Sequence, residues 1–183
     1  GTFSPNPPPP PKKGAEPIKR SALTRLYLAA GYFHPAVVHF PIALLMLSGA
    51  CAFLSYILGK KCESLAFHCL WLGAFSGLVA VVMGWGIADL TGYGNWGRFP
   101  AGGASDHEQT LFRHRWLGTM TMVFSLLLCF LALRAWQKQV GWMVHGWRVG
   151  AMILAILIAI VGHQGGELKY GYITQKAVRM WSS

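Results

Sequence analysis

PAVVHFPIALLMLSGACAFLSYIL, residues 35–58, carries no Asp, Glu, Lys or Arg across its 24 positions. A helix rises about 1.5 Å per residue, so a run of this length covers the roughly 30 Å hydrocarbon layer of a bilayer. Backbone polar groups in lipid must be paired internally, and a helix pairs them within one segment. Three further runs of the same kind follow at residues 65–90, 112–136 and 147–168, with charge confined to their ends. The sequence therefore predicts an all-α, integral membrane four-helix bundle.

The composition agrees. The 183-residue chain is 54% hydrophobic and 12% charged, with a mean hydropathy of +0.40. Soluble domains carry about 25% charged residues. The formal net charge is +10, yet Lys and Arg sit in the tails and between the apolar runs. That distribution suits anionic lipid and excludes a nucleic-acid face, which needs basic and stacking residues in a polar domain. Trp71, Trp85, Trp116, Trp136, Trp142 and Trp147 lie near run ends, where amphipathic rings favour the headgroup zone. The four cysteines form neither C-x-x-C-H nor C-x-x-C, which excludes covalent c-type haem attachment and a zinc or dithiol site of that spacing. Cys51 and Cys129 read as small core residues.

Residues 1–17 form a Pro-rich linker, a polyproline II spacer expected to join the membrane unit to an upstream water-soluble domain. Residues 18–33 read as a short amphipathic helix lying in the membrane interface, with Leu23, Leu26 and Ala30 on one face. The four-helix domain then spans residues 34–172, and residues 173–183 are a C-terminal tail. An even number of spans puts both termini and the loop 91–111 on one face. The short connections on the other face carry Lys60, Lys61, Arg134, Lys138 and Arg148 against Glu63. Short positive loops stay in the cytoplasm, so both termini are expected on the periplasmic side of a bacterial inner membrane.

Five of the seven histidines, His34, His39, His107, His114 and His163, fall at the terminal face. A single interfacial His commonly just bonds a carbonyl or water, but imidazoles delivered at one depth by several spans point to a cofactor. Two opposed neutral imidazoles are the axial pair of a b-type haem. Spans one and three are diagonal in a square bundle, so His39 and His114 are the expected pair, with His163 as substitute for either and His34 close by. Pro41 removes the N–H that would bond the Val37 carbonyl, which is expected to bend the helix and hold His39 inward. Gly77 and Gly84 share a strip of span two that leaves space for a flat ring or for close helix packing. Arg113 and Arg115 flank His114 and suit propionates or lipid phosphates. His68 and His145 mark a second haem site at the opposite face. Asp89 and Glu167 are candidates for proton handling and a quinone, and His163 and Glu167 share a helical face.

HPAVVHFPIALL (34–45), GWGIADL (84–90), HRWLGT (114–119) and GHQGGELKYG (162–171) together resemble a bacterial family of four-helix predicted membrane proteins, domain of unknown function 2231. The resemblance covers roughly residues 30–172 and marks His34, Pro35, His39, Pro41, His163, Gly165, Gly166 and Glu167. It implies a redox setting, since members are often fused to or encoded beside c-type cytochrome domains. The expected function is a membrane b-type cytochrome-like subunit passing electrons between membrane quinol and a periplasmic c-type cytochrome in a larger redox complex. The alternative is a cofactor-free structural subunit that anchors such a complex. A metal-dependent membrane enzyme using His39, His114, His163 and Glu167 is a third reading.

Overall fold

The computed structural model describes residues 21–90 and 106–170, without the side chains of Asp89, Leu90 and Tyr170. The expected linker, the tail and most of the loop 91–111 lie outside these residues. Every described element is a helix: α1 (Ala22–Gly31), α2 (His34–Val37), α3 (His39–Leu58), α4 (Lys60–Leu90), α5 (Asp106–Lys138) and α6 (Gly141–Tyr170). Four of the helical segments are long and apolar enough to cross a membrane, the first being α2 and α3 together. The protein is a multi-pass membrane protein.

The helices outrun the apolar runs read from sequence. Span two begins at Lys60 rather than residue 65, span three at Asp106 rather than 112, and span four at Gly141 rather than 147. The short connections therefore shrink to Gly59 between α3 and α4 and to Gln139 and Val140 between α5 and α6. Hydropathy marks where lipid begins, whereas a helix continues into the headgroup zone for as long as its residues tolerate it. Each reversal uses left-handed backbone: Gly59 at φ 75°, and Gln139 at φ 52°, whose side-chain amide donates to the Trp136 carbonyl at 2.8 Å.

The principal packing pairs are α3 with α4, α3 with α6, and α5 with α6, while α4 and α5 meet more sparsely. This is a square bundle with α3 opposite α5 and α4 opposite α6. Its seams are lined by small residues, which let backbones approach closely in a medium where hydrophobic burial drives nothing. Ala52, Ala66, Ala74, Ala132, Ala135 and Ala151 are fully buried. A Cβ added at Gly49 would lie 2.5 Å from that of Ala155 and 2.8 Å from the Ala151 carbonyl oxygen on α6. The buried Ser48 hydroxyl reaches across to the Ala66 carbonyl on α4 at 2.8 Å, and that of Ser55 turns back to Ala52 on its own helix at 2.6 Å. Cys51 and Cys129 are core residues, as expected.

Trp147 departs from the interfacial role expected of it. It is 1% exposed and packs edge-on against Phe67, 6.4 Å between ring centroids. Beside it the end of the bundle with the short connections is tied by Arg148 and Glu63, 2.7 Å apart, with the guanidinium over the Tyr56 ring. At the terminal end α1 packs onto the last turns of α4. Ser21 caps it by accepting from the Thr24 N–H at 3.1 Å, the Tyr27 hydroxyl donates to the Val82 carbonyl at 3.0 Å, and Gly31 sits against the Ile87 backbone. Leu23 and Leu26 remain exposed on its other side.

Candidate functional site

A cavity of about 460 Å³ opens among the four spans at the terminal end of the bundle. It runs along α4 from Ala88 down to Gly77, about 16 Å of helix. Its size suits a cofactor, and its wall is mainly apolar.

Two imidazoles are built into that wall. His34 Nδ1 lies 2.8 Å from the Ala80 carbonyl oxygen on α4, and His114 Nδ1 lies 3.1 Å from the Val161 carbonyl oxygen on α6. A carbonyl only accepts, so each Nδ1 carries the proton and donates, and each neutral ring keeps its lone pair on Nε2. A backbone acceptor on one ring nitrogen is what orients a histidine that coordinates metal through the other. Each ring also lies over a glycine one turn beyond the carbonyl it bonds. A Cβ at Gly84 would stand 2.9 Å from His34 Cε1, and one at Gly165 would stand 3.1 Å from His114 Cε1. Carbonyl and glycine, four residues apart on one helix, make a slot for the ring.

The two slots are copies. His114 stands 80 residues after His34, and Val161 and Gly165 stand 81 after Ala80 and Gly84. The register extends around the cavity. Pro35, Val38, His39 and Ile42 line it on the first span, and so do their counterparts 80 residues on, Arg115, Gly118, Thr119 and Met122. On α4, Gly77, Val81, Trp85, Ile87 and Ala88 are matched 81 residues later by Ile158, Gly162, Gly166, Leu168 and Lys169, which also line it. The cavity is thus enclosed by two equivalent helical hairpins, α2–α3–α4 and α5–α6. The residue identities are mostly different between the halves, so the repeat is hidden in the sequence. The signal that could have revealed it is the spacing of a span-leading His to a later helical Gly, which agrees to within one residue between the halves.

His39 is exposed rather than held inward as expected, with Nδ1 3.3 Å from the Ala36 carbonyl oxygen of its own segment, although it borders the cavity. Five residues of helix rotate the chain by about 140° net, so His34 and His39 cannot share a direction, and the Ala80 carbonyl holds His34 inward. The chain is interrupted at Val38, between α2 and α3, close to the bend expected from Pro41. His107, expected in the loop, lies in the first turn of α5 and lines the cavity two turns above His114. Gly77 receives Met122, and Gly73 receives Leu45, so the glycine strip serves both the cavity and helix packing.

Arg115 lines the cavity with its guanidinium carbon 4.3 Å over the Trp85 ring, whose indole N–H donates to Thr119 at 3.2 Å. Arg113 is exposed and outside it. His163 is exposed as well, its Nε2 3.8 Å from Glu167 Oε1, and neither lines the cavity. His68 and His145 lie on opposed helices and are both exposed. His68 bonds the Ser64 carbonyl of its own helix, and His145 stacks on Tyr56. The structure does not bring them together. Asp89 is in the last turn of α4, with its side chain outside the described residues. Among the described residues no three His, Cys, Asp or Glu side chains gather around one point as a metal site would require.

The family of predicted membrane proteins known as DUF2231 matches residues 32–177. The chain belongs to that family. The match starts just before His34 and ends beyond Lys169, so it takes in both hairpins and the whole described cavity. No curated protein and no solved structure matches the chain.

Proposed function

We propose that this DUF2231 chain is a b-type cytochrome-like electron-transfer subunit that binds one haem b between its two hairpins. The observation that carries this reading is the pair of equivalent imidazole slots, His34 with Ala80 and Gly84 and His114 with Val161 and Gly165, opening on one apolar cavity. His34 and His114 would hold the iron through Nε2, in place of the pairing of His39 with His114 expected from span positions. The Nδ1 hydrogen bonds orient both rings before any ligand arrives and raise their basicity. Gly77, Gly84, Gly118, Gly162 and Gly165 line the cavity and let neighbours such as Met122, His34 and His114 seat against the backbone, and the rest of the wall is mainly apolar.

Bound there, a haem supplies a one-electron couple whose potential is set by its axial ligands and surroundings. The electrons would pass between membrane quinol and a periplasmic c-type cytochrome, with Asp89 and Glu167 as the candidates for the accompanying protons. The excess of Lys over acid at the short connections supports a cytoplasmic location for them in a bacterial inner membrane, which puts the cavity and both termini on the periplasmic side. Lipid surrounds the bundle, as the exposed Phe53, Leu72, Leu127 and Ile156 require.

The test is a reduced-minus-oxidised visible spectrum of the purified protein. A b-type α-band is expected, lost in His34→Ala and in His114→Ala and kept in His39→Ala and His163→Ala. A second reading, a cofactor-free anchoring subunit, is favoured by the fact that both rings already have backbone partners. A protein supplied with haem that shows no such band would select it.

A further inference from the structure

We infer that the ligand of this cavity carries carboxylate groups along one edge, and that Arg115 and Lys169 hold that edge against the α5–α6 half of the site. The inference rests on the haem reading and adds the ligand's polarity and orientation to it.

The two hairpins agree where the imidazoles sit and disagree in charge at equivalent positions. Pro35 follows His34 and Arg115 follows His114, and all four line the cavity. Ala88 stands four residues beyond Gly84, and Lys169 stands four beyond Gly165, again with all four in the wall. One half of a duplicated site is therefore apolar at both positions, while the other is cationic at both. Arg115 lies within a span, where ionisable residues are costly and mark ligands or pathways, and Lys169 stands at the end of one. The described lining includes no Asp or Glu. The Arg115 guanidinium is seated on the wall at this level, its carbon 4.3 Å over the Trp85 ring.

A ring gripped alike on both faces but anionic on one edge satisfies both the symmetry and its breach. Arg presents a planar fork to a carboxylate, and Lys a point charge. A neutral quinone can accept hydrogen bonds from both but brings no charge to balance theirs.

The experiment is titration of cofactor-free protein in detergent micelles with haemin and with haemin dimethyl ester, whose carboxylates are blocked, read by the Soret band. Wild type should bind haemin at least about tenfold more tightly than the ester, the scale of a charge-assisted hydrogen bond. Arg115→Gln and Lys169→Gln should each weaken haemin binding while leaving ester binding nearly unchanged, so that the gap narrows. Lys169 is exposed, so its variant keeps the test alive if Arg115→Gln fails to fold. Equal affinity of wild type for the two compounds would overturn the inference and leave the bis-imidazole reading standing. A preference for haemin that survives both substitutions would overturn the assignment to Arg115 and Lys169. Uptake of neither compound would overturn the haem reading and this inference with it.

Discussion

Gly84→Ala separates a ligand slot from ordinary helix packing. The added Cβ would stand 2.9 Å from His34 Cε1, and ordinary contact begins near 3.4 Å, so the ring must retreat by about 0.5 Å. That movement works against the 2.8 Å hydrogen bond to Ala80 that sets the ring's direction. Overpacking of this kind costs about 1–3 kcal/mol, and replacing a mid-helix Gly by Ala returns about 0.8–1.0 kcal/mol. In cofactor-free protein the imidazole can swing toward the cavity, so the helix gain largely offsets the clash and thermal stability should change little. With haem bound, the ring has nowhere to go and the clash is felt in full. Haem affinity should therefore fall roughly ten- to hundredfold. Gly165→Ala, with its Cβ 3.1 Å from His114 Cε1, asks for about 0.3 Å and should do the same more weakly. Haem titration and thermal unfolding of the cofactor-free variants measure the two quantities separately. Unchanged haem affinity in Gly84→Ala would refute the slot argument, and so would a loss of apoprotein stability as large as the loss of binding.

Two other outcomes follow from the same geometry. In His34→Gly or His114→Gly, added imidazole should restore the low-spin spectrum, because the carbonyl and glycine that receive the ring remain; rescue in neither variant would mean that the slots do not present a ligand. At the far end of the bundle, Glu63→Gln should destabilise the protein by about 2–4 kcal/mol by stranding the Arg148 guanidinium, whose pairing distance is 2.7 Å. The paired replacement Glu63→Leu with Arg148→Met should recover most of that in thermal unfolding, and a Glu63→Gln variant as stable as wild type would remove the clamp.

Hydropathy was enough to count the spans, because lipid excludes charge from residues 35–58 and their three counterparts whatever the neighbours are. The same reasoning placed the ends of the helices poorly. Lys60, Lys61 and Glu63 continue α4, and Trp142 and His145 belong to α6, since a helix does not stop where lipid does. Trp147 was misplaced because a tryptophan near the end of a run reads the same whether it points to headgroups or into the core.

A helical membrane protein with several imidazoles at one end is already written in the chain, since span count and alternation of direction follow from residue order alone. Which imidazoles face the cavity depends on how the helices pack. His34, His39, His114 and His163 are equivalent as letters, but rotation about the helix axis and the available carbonyl turn His34 and His114 inward and leave His39 and His163 exposed. The duplication of the hairpins was also invisible until the cavity gathered its wall, because packing preserves the spacing of carbonyl, glycine and imidazole while the side chains between them are free to change.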